Sequence, residues 1–102
     1  PPLEEDGGRY LNYPLFPFDE TTLFETYRIV IKPRGSLAAQ PHLAGSEEYI
    51  TLFSGAAEIQ VGEETFSLAK GDSIRFRADV PHSYRNPGDE TTELSMLIYY
   101  GR

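Results

Sequence analysis

Apolar and polar residues alternate along most of this chain with a period of two, which is typical of half-buried β-strands. Between Ala57 and Val61 the alternation is plainest, since Ile59 shares their face while Glu58 and Gln60 lie on the other. Further strand signals, each ending near a glycine or proline turn, cover 23–31, 48–55, 65–68, 73–77, 82–86 and 92–100. No segment shows sustained helical periodicity. The pattern predicts an all-β sandwich or barrel.

The two ends of the chain differ in composition. Residues 1–9, PPLEEDGGR, combine proline, glycine and acid and predict a linker-like segment. Residues 10–22 alternate aromatic residues with prolines, which predicts an extended arm that packs its rings on the domain, because prolines interrupt a central strand. Residues 23–102 are expected to form one barrel domain.

Composition and charge exclude several classes of function for this chain. The chain has 102 residues, no cysteine and a net charge of -7, with its basic residues scattered. DNA would repel such a surface, since binding to phosphates needs concentrated Lys and Arg. No apolar run approaches the ~20 residues that span a bilayer, and nothing resembles a signal peptide. We therefore expect a cytoplasmic protein that contacts neither DNA nor a membrane through this domain.

Candidate chemistry centres on two histidines. Glycine-rich phosphate loops and a GxSxG nucleophile elbow are absent from the sequence. His42 and His82 are the only histidines, so any histidine-dependent chemistry must use them. Both lie in stretches that also contain other polar residues at regular spacing. The first stretch reads PHLAGSEEYITLFSG and the second reads GDSIRFRADVPHSYRN.

These two stretches resemble the paired motifs of the cupin superfamily. The matching positions are His42, Glu48 and Gly55 in the first motif, and Gly71, His82 and Asn86 in the second. The resemblance implies a double-stranded β-helix, a small jelly-roll barrel with a central pocket. In cupins with a complete ligand set, three histidines and one glutamate hold a divalent metal inside the barrel.

This chain departs from the motif at Ala44, which stands where the second histidine should be. The remaining His42, Glu48 and His82 form the ligand set of a facial triad, which suits Fe(II) and also leaves Mn, Zn or Ni as candidates. We favour the interpretation that both histidines are pocket residues hydrogen-bonded to Glu48, Tyr84 or water, because metal sites usually keep their full ligand set, and no cofactor is firmly predicted. A solvent-facing position for Glu48 is a third interpretation, because Gly45 and Ser46 interrupt the strand parity.

Several strand residues are further candidates for lining a ligand pocket. We assign Tyr84, Met96 and Ile98 to it together with the motif residues, although each is also an ordinary packing residue. Arg28 either lies on the outer face or anchors an acidic ligand from inside, and we favour the outer face.

The whole pattern is similar to the C-terminal cupin domain of bacterial regulators that carry an N-terminal helix-turn-helix of the xenobiotic-response-element class. The resemblance implies a small-molecule effector-binding and homodimerising domain, with DNA contacted only by a separate N-terminal domain. In this interpretation the chain has no catalytic residue. The alternative is a small metal-dependent enzyme, such as an isomerase, decarboxylase or dioxygenase, with the metal on the residual triad.

Overall fold

A computed structural model describes residues 1–101 as antiparallel β-strands joined by short turns. A 3-10 turn, Asp6–Gly8, follows the first strand. The strands are β1 (Leu3–Glu5), β2 (Tyr10–Phe16), β3 (Phe24–Ile31), β4 (Ser36–Ala39), β5 (Glu47–Ser54), β6 (Ala56–Val61), β7 (Glu64–Ala69), β8 (Ser73–Arg77), β9 (His82–Arg85) and β10 (Thr92–Tyr99). Arg102, the last residue of the predicted barrel, lies outside the described residues.

The strands form two sheets. One has six strands in the order β1-β2-β3-β10-β5-β8, and the other has four in the order β4-β9-β6-β7. The apolar residues of both sheets meet in one core between them, which confirms the predicted jelly-roll barrel. Residues 1–101 contain no helix with the length and hydropathy that a bilayer span requires.

The alternation of apolar and polar residues along the strands places the apolar side chains in this core. In β10 every second residue is buried, and the same holds for the central part of β5. The buried apolar residues are Tyr10, Ile29, Ile31, Ile50, Leu52, Ala57, Ile59, Phe76, Ala78, Tyr84, Leu94, Met96 and Ile98. Each predicted strand is present, with ends that differ by one residue at most. The short edge strand β4 carried no sequence signal and was not predicted.

The first 22 residues are more ordered than their composition predicted. Part of the linker-like segment 1–9 forms β1, whose residues pair with the start of β2. The arm 10–22 begins with β2, which pairs with β3 and buries Tyr10 in the core. Pro14 is tolerated because β1 does not extend to it and the register with β3 shifts there.

The turn between β5 and β6 explains the glycine that closes the first motif. Gly55 has a φ of 73°, a left-handed conformation that favours glycine. A Cβ atom there would lie 2.6 Å from the Thr92 side-chain oxygen and 2.7 Å from the Thr91 carbonyl oxygen. Any side chain at this position would therefore force β10 away from the turn.

Candidate functional site

Four polar side chains meet inside the barrel, between the two sheets. Glu48 comes from β5 of the six-stranded sheet, while His82 and Tyr84 come from β9 of the four-stranded sheet. His42 reaches them from the loop before β5. The two imidazole rings lie 5.2 Å apart between centroids. The predicted meeting of the two motifs inside the barrel is therefore what the structure shows.

Strand parity places the β9 residues. His82 and Tyr84 share the buried face and Arg85 is exposed, as the alternation of side chains along a strand requires. Glu48 lies opposite Phe76 on one side and Ile98 on the other, both of which face the core. The third interpretation, a solvent-facing Glu48, is thus wrong, since its side chain is 0% exposed.

Backbone hydrogen bonds hold the loop that carries His42. The amide of His42 donates to the Ala78 carbonyl at 2.8 Å, and the Ala78 amide donates to the Ser46 carbonyl at 2.9 Å. The Gly45 amide donates to the Asp79 carboxylate at 2.9 Å. The loop is therefore held against the segment after β8 both at His42 and at the Gly45–Ser46 turn that follows it.

Glu48 is the centre of the cluster. One of its oxygens, Oε2, lies 3.0 Å from His42 Nε2 and 2.9 Å from the Tyr84 hydroxyl, which also lies 2.7 Å from Oε1. Burial raises the pKa of Glu48, but its interactions with His42, His82 and Tyr84 outweigh it and lower the pKa overall. Glu48 is accordingly an anion in the barrel interior. Burial and the Glu48 charge raise the pKa of Tyr84 well above its ordinary value, so Tyr84 stays a neutral donor.

His82 has one satisfied nitrogen and one unsatisfied nitrogen. Its Nδ1 lies 2.8 Å from the Val80 carbonyl, which can only accept, so Nδ1 carries a proton. Its Nε2 lies 3.0 Å from Glu48 Oε2, but the contact does not meet hydrogen-bond geometry, so this buried atom has no hydrogen-bond partner. Burial lowers the pKa of His82, whereas Glu48 and the Val80 carbonyl raise it more. In the neutral ring, the Nε2 lone pair faces the cluster.

The donor set fits a divalent cation. One ligand atom from each of His42, Glu48 and His82 lies within 4.8 Å of the other two. The set joins two imidazole nitrogens to one carboxylate, as in the facial triad that the sequence predicted. Ala44 lies exposed in the turn that follows His42 and offers no ligand atom. His42 is the solvent-accessible member, with 26% of its side chain exposed.

The other predicted site residues have different surroundings. Met96 and Ile98 are each 5% exposed and belong to the apolar core on the inward face of β10. Arg28 points outward, as predicted, where it pairs with Glu93 and lies 4.7 Å from the Tyr13 ring centroid. Ile98 is therefore the direct neighbour of Glu48 on β10, Met96 packs in the core one inward-facing pair further along, and Arg28 is excluded from the interior.

Asn86, the last residue of the second motif, has a structural position. It is fully buried, and its side-chain nitrogen donates to the carbonyls of Ile31 at 2.9 Å and Glu90 at 2.7 Å. Its side-chain oxygen accepts from the Gly88 amide at 2.9 Å. Asn86 thus fixes the turn before β10 and does not join the polar cluster.

A group of residues beside His42 was not predicted. The Glu25 carboxylate accepts hydrogen bonds from the hydroxyls of Tyr27 and Tyr100, the latter at 3.1 Å. The Tyr100 ring lies 6.3 Å from the His42 ring and 5.4 Å from the Phe18 ring. A carboxylate and two hydroxyls therefore stand at the exposed side of the cluster. Parity in β3 was the available signal, since Glu25 and Tyr27 alternate with outward residues.

The jelly-roll fold and the cluster formed by the two motifs are those of a cupin domain, and comparison with known families gives the same class. The Cupin_2 family, described as the cupin domain, matches residues 27–99. The chain therefore belongs to the cupin family. The match includes all of the cluster residues and ends with β10.

Its relatives include bacterial transcription regulators. The chain is 35% identical over 88 residues to the HTH-type transcriptional regulator SutR of Escherichia coli K12, covering 86% of this chain and 49% of that protein. It thus spans about half the length of that relative. A crystal structure of the Cupin_2 domain of an XRE family transcriptional regulator from Enterobacter cloacae is 34% identical, with a TM-score of 0.87, and the match covers 92% of this chain and 99% of that one.

A longer regulator has the same fold over this region. The crystal structure of an HTH_3 family transcriptional regulator from Vibrio cholerae is 26% identical with a TM-score of 0.91. The match covers 99% of this chain and 56% of the Vibrio chain. The cupin fold described above is therefore found in these regulators as part of a longer protein.

Proposed function

We propose that this chain is the effector-binding and dimerising domain of a bacterial transcription regulator. The observation that carries the proposal is the polar cluster inside the barrel, in which the partly exposed His42 meets the buried Glu48, His82 and Tyr84. A small molecule enters on the side of His42, and its binding changes how the two copies of a dimer present their DNA-binding domains.

Energetics support a binding role for this cluster. Burying a carboxylate and two imidazoles costs desolvation free energy, and apolar residues of similar volume give equal or greater stability. Perturbed ionisable groups that converge in one place are typical of functional sites. Glu48 and His82 both have shifted pKa values and lie against each other. Folding alone gives no reason for this arrangement.

Charge supports a separate DNA-binding domain. The net charge of -7 opposes contact with phosphates through this domain. The basic side chains Arg28, Arg34, Arg77 and Arg85 are each paired with a carboxylate on the surface. The relatives SutR and the Vibrio cholerae protein are helix-turn-helix regulators by description and extend beyond the matched region. DNA recognition in this proposal belongs to such a helix-turn-helix domain.

A divalent cation is part of the proposed site. His42, Glu48 and His82 would hold Fe(II), Mn(II), Zn(II) or Ni(II), because their ligand atoms lie close together and the buried Nε2 of His82 has no hydrogen-bond partner of its own. When bound, the metal supplies a Lewis acid with open positions for an oxygen or nitrogen of the effector. Tyr84 orients the carboxylate through its hydroxyl, and Val80 fixes the His82 tautomer.

The same three ligands favour a second candidate, a metal-dependent enzyme. A facial triad leaves coordination positions free for a substrate, as in oxygenases and related enzymes. Beyond the ligands, the groups near His42 are Glu25, Tyr27 and Tyr100, and burial raises the pKa of both tyrosines. Neutral tyrosines and a hydrogen-bonded carboxylate bind and orient a ligand well. These surroundings favour the effector-binding domain over the enzyme.

Two experiments test the proposal. Calorimetric titration of chelator-treated protein with each of the four metals should show binding that weakens at least about tenfold in Glu48→Gln. The control Glu58→Gln, whose side chain lies on the surface and pairs with Arg85, should bind as the wild type does. A natural reading frame that joins this domain to no DNA-binding domain would refute the regulatory role, and a metal-loaded protein that turns over a substrate would favour the enzyme.

A further inference from the structure

Exposed aromatic residues gather on the outer face of the six-stranded sheet. Phe16 is 67% exposed, Phe18 is 44% exposed and Tyr49 is 39% exposed. With their partly buried neighbours they form a surface that we call the aromatic band. The aromatic band consists of Phe16, Phe18, Phe24, Tyr49, Leu97 and Tyr99.

Strand register makes the aromatic band continuous. Tyr49 on β5 lies opposite Leu97 on β10, and Leu97 lies opposite Thr26 on β3. Thr26 lies opposite Phe16 on β2. Directly opposed residues point to the same side of a sheet, so this row crosses four neighbouring strands on one face.

The aromatic band is concave at two adjoining places. One cavity of about 530 Å³ is lined mainly by Phe16, Phe18, Phe24 and Leu97. The second, of about 350 Å³, is lined by Tyr49, Leu97 and Tyr99, so that Leu97 separates the two.

The polar groups beside the larger cavity already have partners. Asp19 Oδ1 accepts from the amides of Thr21 and Thr22 at 2.7 and 3.1 Å. The hydroxyl of Thr26 accepts from the Phe16 amide at 3.2 Å. A polar ligand would gain few hydrogen bonds there, and the surface therefore fits an apolar, aromatic partner face.

We propose that the aromatic band is the interface between two copies of this chain, which deepens the dimerising role proposed above and rests on it. The exposed parts of its six side chains amount to about 400 Å². A stable interface buries about 800 Å² on each partner, of which about 65% is apolar in homodimers. The aromatic band therefore supplies most of the apolar area that such an interface needs.

Charge complementarity sets the orientation of the two copies. Arg75 lies opposite Tyr49 on the edge strand β8, is exposed, and has no salt bridge within residues 1–101. Glu20 lies exposed in the turn between β2 and β3, next to Asp19, which lines the larger cavity of the aromatic band. A two-fold axis parallel to the strands brings Arg75 of each copy toward Glu20 of the other. A two-fold axis perpendicular to the strands would instead place Arg75 of one copy beside Arg75 of the other, where like charges repel.

Sedimentation equilibrium over a wide range of protein concentration tests the interface. The wild type should show twice the 11.5 kDa chain mass, and Phe16→Glu and Tyr49→Glu should each raise the dimer dissociation constant at least about tenfold. Both side chains are exposed, so neither substitution disturbs the core, and thermal unfolding verifies this. The matched control is Leu43→Glu, which puts the same charge on a residue that is 71% exposed and lies in the His42 loop.

The outcomes separate the interface from the dimerising role. A dimer that persists in both aromatic variants refutes the aromatic band while dimerisation stands. A wild type that is monomeric throughout refutes both, whereas metal binding at the cluster remains a separate measurement. Arg75→Glu should weaken the dimer and the double variant Arg75→Glu/Glu20→Arg should restore it. Failure of this restoration would refute the orientation.

Discussion

The hydroxyl of Tyr84 lies 2.7 and 2.9 Å from the two carboxylate oxygens of Glu48, and this contact joins the two sheets through the barrel interior. Tyr84 belongs to β9 and Glu48 to β5, in different sheets. Hydrogen bonds to a charged acceptor are stronger than neutral ones and hold it in one orientation. The carboxylate is thereby fixed with one oxygen near His42 and His82.

Removing that hydroxyl should destabilise the fold. Tyr84→Phe leaves the buried Glu48 with one fewer donor, and we expect a loss of about 2 kcal/mol in the free energy of unfolding. Urea unfolding with a chelator present measures the loss. Tyr49→Phe is the matched control, because its exposed hydroxyl donates to Glu47 at 3.1 Å, and it should change stability by less than about 0.5 kcal/mol. Equal effects of the two substitutions would contradict the role given to Tyr84.

Tyr100 should ionise only at high pH. Burial, followed by the charge of Glu25, raises its pKa to about 12 from the ordinary value of 10.0. Because the pKa is raised in the folded state, the associated stability is fully present below the unfolded pKa and is lost as pH rises through about 12. Glu25→Gln should lower the pKa of Tyr100 without abolishing the shift.

Phenolate absorbance followed against pH measures this ionisation, and Tyr100→Phe identifies which transition belongs to Tyr100. Titration of Tyr100 at its ordinary pKa would show that it is not enclosed with Glu25 beside His42.

The loss of Asn86 should affect stability but not the polar cluster. Asn86→Ala removes the partners of the Ile31 carbonyl, the Glu90 carbonyl and the Gly88 amide, and we expect a loss of about 3 kcal/mol. Chemical denaturation measures the change. Metal affinity should stay within about threefold of the wild type, since Asn86 touches no cluster residue. An intact fold with lost metal binding would instead assign Asn86 to the site.

Period-two alternation was enough to predict most of this fold. It predicted β6 and β8 because their inward residues are apolar and their outward residues are polar. It did not predict β1, which has only three residues, or β4, whose sequence SLAA does not alternate between apolar and polar residues. The alternation also gave too little weight to β2, because Pro14 interrupts the pattern of strand-forming residues. In the structure, Pro14 lies where β1 has ended and where the register with β3 shifts.

The candidate site was predictable to the extent that it depends on strand parity. Parity placed His82 and Tyr84 inward, but it could not orient Glu48, since Gly45 and Ser46 interrupt the strand. The position of His42 depends on long-range backbone hydrogen bonds to Ala78, which no local pattern contains. The resemblance to paired motifs supplied what parity could not.

The central claim is that the cluster of His42, Glu48 and His82 binds a metal, and is not a structural feature of the core. Nitrogen NMR of the two imidazoles, recorded while Zn(II) is added to chelator-treated protein, tests it most directly. The account predicts a His82 ring that is protonated at Nδ1 and, with one equivalent of Zn(II), a large shift of Nε2 in both histidines that Glu48→Gln weakens. Imidazole resonances that remain unchanged in excess Zn(II) would contradict it.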